Sequence, residues 1–260
     1  MRKLSWMLFA LVLCTPSTRA ETPEEKGLIV AREADRRDVG FGDYAASMRM
    51  ILRNAHGEES ARQLRVSILE VEGDGDKSQS IFDDPADVKG TALLSFSHKS
   101  GTDDQWLYLP ALKRVKRISS ADKSGAFMGS EFAYEDISSQ EVEKYTYKHL
   151  REESLDGQDC LVIERYPVDK YSGYTRQVLW LDKAEYRVHK IDFYDRKNSL
   201  LKTYSASGYR RYIDRYWRPN EMLMVNHQTG KSTALQWTDY RFRTGLRSAD
   251  FTQESLKRAR

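Results

Sequence analysis

From residue 44 the chain alternates. Tyr44, Ala46, Met48, Met50 and Leu52 share one parity, while Ser47, Arg49 and Arg53 take the other. A two-residue period marks a strand with one buried face. Leu64, Val66 and Ile68 repeat it, and strand-like runs follow at 79–83, 91–97, 105–109, 114–118, 145–153, 159–166, 174–181, 187–194, 200–212, 216–227 and 231–242. The links are short and turn-forming, such as Asp156-Gly157 and Thr229-Gly230, which favours antiparallel hairpins over crossovers. The pattern predicts a mainly β protein with a few helices, built on one large curved sheet or barrel.

Three stretches depart from the alternation. Residues 24–39 read as a helix: Pro23 stands just before it, acids fill its first turn, and Leu28, Ile29, Ala31 and Ala34 form its apolar face. Residues 249–260 predict a short helix opened by Asp250 or Thr252. Residues 119–140 mix Gly, Ser and aromatics, with a short helix expected at 134–139. A loop this long inside a compact fold is often functional.

The amino terminus reads as an export signal. Arg2 and Lys3 precede an uncharged apolar run at 4–13, and Thr18-Arg19-Ala20 places small residues where a signal peptidase reads. A membrane span needs roughly 20 apolar residues, about twice what this run offers. Cleavage is expected after residue 20, leaving one domain over 21–260. Leu13 ahead of Cys14 is too large for a lipid-attachment site, so no lipid anchor is expected.

Removing the leader changes the electrostatics. The chain has 42 Lys+Arg and 39 Asp+Glu; without Arg2, Lys3 and Arg19 the basic count falls to 39, level with the acids. A nucleic-acid partner would call for surplus positive charge, so none is expected. Cys160 is left as the single cysteine, which excludes an internal disulfide, and its place in an apolar run predicts a buried, inert thiol.

Few residues suggest chemistry. No two of the five histidines have the spacing that sets two metal ligands on one helix face. Glu72, Asp74, Asp76 and Ser78 alternate like the start of a calcium loop, but Lys77 stands where that loop needs glycine, so a solvated hairpin loop is the better reading. There is no nucleophile elbow and no phosphate-cradling or dinucleotide-binding glycine loop. Neither metal nor cofactor is expected, and no catalytic residue. What the chain has in abundance is apolar and aromatic strand residues, with methionines that suit a pliable lining. For any single one of them ordinary core packing is the default reading.

Three segments carry a family resemblance: Trp106-Leu107-Tyr108-Leu109-Pro110-Ala111-Leu112-Lys113-Arg114-Val115; Gly125-Ala126-Phe127-Met128-Gly129-Ser130-Glu131-Phe132-Ala133-Tyr134-Glu135-Asp136; and Leu179-Trp180-Leu181-Asp182-Lys183 with Tyr194-Asp195-Arg196. In kind and order they resemble the LolA-like outer-membrane lipoprotein-sorting proteins, in particular an uncharacterised periplasmic branch. The resemblance implies an antiparallel sheet rolled into an incomplete barrel, with helices covering the open side and an apolar cavity between. It implies a non-enzymatic, monomeric periplasmic carrier of lipid or lipoprotein acyl chains, with an inner-membrane transporter of the resistance–nodulation–division (RND) type as a partner. Candidate cavity residues are Met48, Met50, Trp106, Tyr108, Phe127, Met128, Phe132, Trp180, Phe193, Met222, Met224 and Trp237. Residues 119–140 are the candidate movable part. The rival readings are a transporter accessory subunit that carries nothing and, last, an envelope lipid hydrolase.

Overall fold

A computed structural model describes residues 20–258. The expected leader, with Cys14, lies outside the described residues except for Ala20. Helix α1 (Pro23–Asp38) opens on a capping box: Thr22 Oγ1 accepts from Glu25 N, and the Glu25 carboxylate accepts from Thr22 N. Its inward side holds Leu28, Ala31 and Ala34 of the expected face together with Gly27 and Val30, while Ile29 is exposed. The docking contact decides this. A Cβ on Gly27 would lie 2.7 Å from the backbone nitrogen of Lys148, so only glycine lets the helix come this close.

The strands are β1 (Asp43–Arg53), β2 (Glu59–Leu69), β3 (Lys77–Asp84), β4 (Ala92–Phe96), β5 (Asp104–Leu109), β6 (Arg114–Ile118), β7 (Tyr145–Leu155), β8 (Gln158–Pro167), β9 (Tyr174–Asp182), β10 (Val188–Asp195), β11 (Leu200–Ser207), β12 (Arg210–Tyr212), β13 (Tyr216–Arg218), β14 (Glu221–Asn226) and β15 (Ser232–Phe242). Thirteen of them form one antiparallel curved sheet in the order β6-β5-β4-β3-β2-β1-β15-β14-β11-β10-β9-β8-β7, which does not close into a barrel. The first and last strands, β1 and β15, pair in its middle, with Met48 opposite Trp237 and Met50 opposite Leu235.

The two long strands expected at 200–212 and 216–227 are each broken in two. Gly208 turns the chain out of β11 at φ 64°, and Pro219 has no N–H to offer the ladder. Between them β12 and β13 fold into a separate hairpin. Its Tyr212 and Tyr216 join Phe41, Tyr44, Tyr240 and Phe242 in an aromatic stack.

Strand parity sorts the side chains onto two faces. The inner face carries the largest core cluster, with Met48, Met50, Leu64, Phe82, Leu93, Phe193, Met224 and Leu235, and continues under α1 through Leu161, Ile163, Leu179 and Leu181. On the outer face, Ala92, Leu94, Trp106 and Tyr108 pack beneath helix α2 (Gln253–Lys257), which Thr252 caps. Cys160, Val162, Val178 and Trp180 form a second outer cluster. Cys160 is free and fully buried, and burial pushes its thiol pKa up. Among the described residues no helix is long and apolar enough to cross a membrane.

Candidate functional site

The sheet's two edges, β6 and β7, are consecutive in sequence. The segment between them must therefore cross the gap that keeps the barrel open. It does so over the inner face and fills it. Phe127 and Phe132 are 2% and 4% exposed within the main core cluster, and Met128, Tyr134 and Ile137 pack against it. The Phe127 ring lies 5.8 Å from that of Phe82 and 5.7 Å from that of Tyr134. The segment is thus a plug set in a curved apolar sheet.

The helix expected at 134–139 does not form, because the backbone there is bonded outward. Glu135 N donates to Lys123 O, the Tyr134 carbonyl accepts from the Gln105 side chain, and Ser139 N donates to Ser97 Oγ. Three-residue 3-10 turns at Ser120–Asp122 and Phe127–Gly129, and a bridge between Ala126 and Ala133, are what the plug contains instead.

Three acids of the plug, Glu131, Glu135 and Asp136, each tie it to a strand or turn. Glu131 accepts from Asn226 Nδ2 at 2.7 Å, while its backbone N–H donates to Thr233 Oγ1 at 2.9 Å. Glu135 accepts from Ser172 Oγ at 2.7 Å and from Gly173 N at 2.8 Å; burial nonetheless pushes its carboxyl pKa up. Asp136 accepts from Ala133 N at 2.6 Å, from Tyr174 Oη at 2.8 Å and from Lys202 Nζ at 2.7 Å. The Lys202–Asp136 pair is almost fully enclosed, with side chains 5% and 6% exposed, and Lys202 Nζ also donates to Glu131 O. Burial, then the Asp136 charge, pushes the Tyr174 phenol pKa well up, so the phenol stays a donor. Arg62 adds a bond to the carbonyl of Met128.

The apolar candidates divide. Met48, Met50, Phe127, Phe132, Phe193 and Met224 are buried in the inner cluster, and Met128, Met222 and Trp237 pack against it. Trp106 and Tyr108 lie on the outer face under α2, and Trp180 in the outer cluster with Cys160. Reading each strand by hydrophobicity alone cannot separate the faces when both are apolar, as in β5 and β9. The polar residues that latch the plug to the sheet, Lys202, Asn226, Thr233 and Tyr174, are not among the candidates from sequence. Lys202 did leave a signal: it shares parity with Tyr204 and Ala206 and so stands at an inward strand position. Of the acids of the hairpin loop, Asp74 is held by local bonds and Asp76 is partly buried. Asp74 bonds His98 Nδ1 at 2.8 Å and accepts from Lys99 N. Among the described residues no group of three or more His, Cys, Asp or Glu could hold a metal ion.

At one rim the plug borders a groove of about 350 Å³, lined by the β1–β2 turn, by Gly129 and Glu131 of the plug, and by 231–233 where β15 begins. Its lining is mixed: Leu52 and Thr233 beside Arg53, Asn54, Glu58, Glu59 and Lys231.

A protein family described only as uncharacterised matches residues 74–258. The crystal structure of an outer membrane lipoprotein-sorting protein domain from Vibrio parahaemolyticus is 60% identical, covers 90% of this chain and 99% of its own, and superposes with a TM-score of 0.89. A DUF1329 family protein from Desulfovibrio piger is 31% identical over 91% of this chain and 100% of its own, with a TM-score of 0.86. A LolA superfamily protein from Nitrosomonas europaea shares the fold at 22% identity, over 91% of this chain and 100% of its own, with a TM-score of 0.71. Among curated proteins none matches.

Proposed function

The chain belongs to the LolA-like outer-membrane lipoprotein-sorting family, and from that premise we propose that it is a periplasmic carrier, exported by a leader cleaved after residue 20, whose single domain shelters lipid or lipoprotein acyl chains against the inner face of the sheet. The observation that carries the reading is how that face is covered. A helix covers one end, but the centre is covered by an irregular segment that presents Phe127, Met128 and Phe132 to it. These side chains stand where acyl chains would lie. Moving them aside exposes Met48, Met50, Phe193, Met224 and Leu235, a lining that transfers about 0.8 kcal/mol per methylene to a bound chain. Binding by area needs little polar recognition. Nothing in this reading requires catalysis.

Mass spectrometry of ligand extracted from the purified mature protein, with titration of a fluorescent fatty acid, tests the carrier. Co-purifying lipid and saturable binding are expected. Absence of both would refute it. A second reading is favoured by one observation, that the inner face is already filled by the chain's own side chains: a non-carrying accessory subunit docked on an RND-type inner-membrane transporter. Capture of such a transporter by a protein that binds no acyl probe would select it.

A further inference from the structure

The carrier reading leaves open where a ligand enters and what its polar end meets. The groove beside the plug answers both. Two of its residues are shared with the plugged interior: Leu52 packs on the main core cluster, and Thr233 is 1% exposed and bonded to Glu131 N; exposed Gly129 follows Met128 at the plug tip. The tip is strained. Met128 and Gly129 are both left-handed, at φ 50° and 76°, a conformation a methionine adopts only at a cost of about 1–2 kcal/mol. Two other approaches to the inner face are occupied, one by α1 at one end and one by the aromatic stack of the β12–β13 hairpin beside it.

Resting on the carrier reading, we propose that this groove is the mouth of the site and holds the zwitterionic head of a diacyl lipid, such as a phosphoethanolamine head, with the chains running past Leu52 into the space of Phe127 and Met128. The charges of the groove select the head. Arg53 pairs with Glu59, and Glu58 accepts from Asn54 Nδ2 at 2.6 Å. Lys231 forms no ion pair among the described residues, and the Glu131 carboxylate lies in the same lining. A simple anion would meet three carboxylates here, and a simple cation would meet Arg53 and Lys231. A head with one charge of each sign places its phosphate at Lys231 and its ammonium toward Glu131 or Glu58.

The test uses the mature chain and phosphatidylethanolamine with a photoreactive diazirine at either end of one acyl chain. The label near the carbonyl is expected on residues 52–60 or 229–233, and the label at the methyl end on β1, β10 or β14. Cross-links from the carbonyl end to α1 or to the outer face overturn the mouth assignment while leaving the carrier intact; no uptake of either probe overturns the carrier itself. Competition with unlabelled lipids tests the head. Phosphatidylethanolamine should compete better than phosphatidylglycerol or diacylglycerol. Lys231→Glu, on an exposed turn, should weaken it about threefold, the scale of an exposed ion pair, and leave diacylglycerol unchanged. Equal competition by the three lipids, or no effect of Lys231→Glu, overturns the zwitterion assignment.

Discussion

Replacing Lys202 by methionine keeps the stem of the side chain and deletes its charge. In the structure that charge lies 2.7 Å from Asp136 Oδ2 and 2.9 Å from Glu131 O, with the residue 4% exposed. Breaking a buried pair by removing one partner costs about 3–5 kcal/mol, because the other charge is left without compensation. Asp136 would keep two donors, Tyr174 Oη and Ala133 N, so the low end of that range, about 3 kcal/mol, is expected. The loss should fall on the plug, since Lys202 belongs to the sheet and both its acceptors belong to the plug. At about 1.4 kcal/mol per tenfold, opening of the plug becomes roughly a hundredfold more frequent. Amide hydrogen exchange reads this directly: amides of 126–136 should speed up by about two orders of magnitude, while those of β8 and β9 change only as far as global stability changes. Asp136→Asn keeps an acceptor for Tyr174 and needs no counterion, so the double variant should recover much of the loss. Uniform acceleration across sheet and plug, or strictly additive single and double variants, would show that the pair supports the sheet and is no latch.

Other consequences follow from single contacts. Phe127→Ala empties a site that is 2% exposed, and should cost about 3–5 kcal/mol in chemical denaturation while tightening binding of a fluorescent fatty acid; lost stability without gained affinity would count against the plug. Gly27→Ala raises helix propensity by about 1 kcal/mol, yet should destabilise the protein by about 1–3 kcal/mol, because the new methyl meets the β7 backbone; a rise in melting temperature would refute the close docking of α1. Burial, reinforced by Glu141, raises the Asp76 pKa to about 7. The folded state then holds a proton that the unfolded chain has lost above its ordinary value of 3.8, so stability falls as pH rises from about 4 to about 7. Asp76→Asn should flatten this slope, gaining on the parent between pH 5 and pH 8 in thermal melts; parallel curves would exclude the titration.

The strands were legible because alternation is a local signal, and hairpin links confine the pairing of neighbours. The limits appear at particular residues. Ile29 and Val30 are adjacent and both apolar, and only the contact of Gly27 with β7 decides which turns inward. Trp106 and Trp180 look like lining residues by type, but each stands one residue out of phase with inner-face neighbours, Leu107 and Leu179 or Leu181. Lys202 has the wrong polarity for a core residue, and its partner is 66 positions away.

The chain by itself determined a many-stranded antiparallel sheet, and the run from Gly125 to Asp136 already holds both halves of the plug, aromatics to fill and acids to bind. Both depend on residue type at short spacing. Which edges that run would join was settled only in three dimensions. Because β1 pairs with β15 in the middle of the sheet, the sheet grows outward in both directions and its free edges become β6 and β7, neighbours in sequence. The long loop between them is thereby laid across the open barrel. No local propensity encodes that placement; it follows from closing the pairing of strands almost 190 residues apart, after which the inner apolar face has this segment at its centre to exclude water.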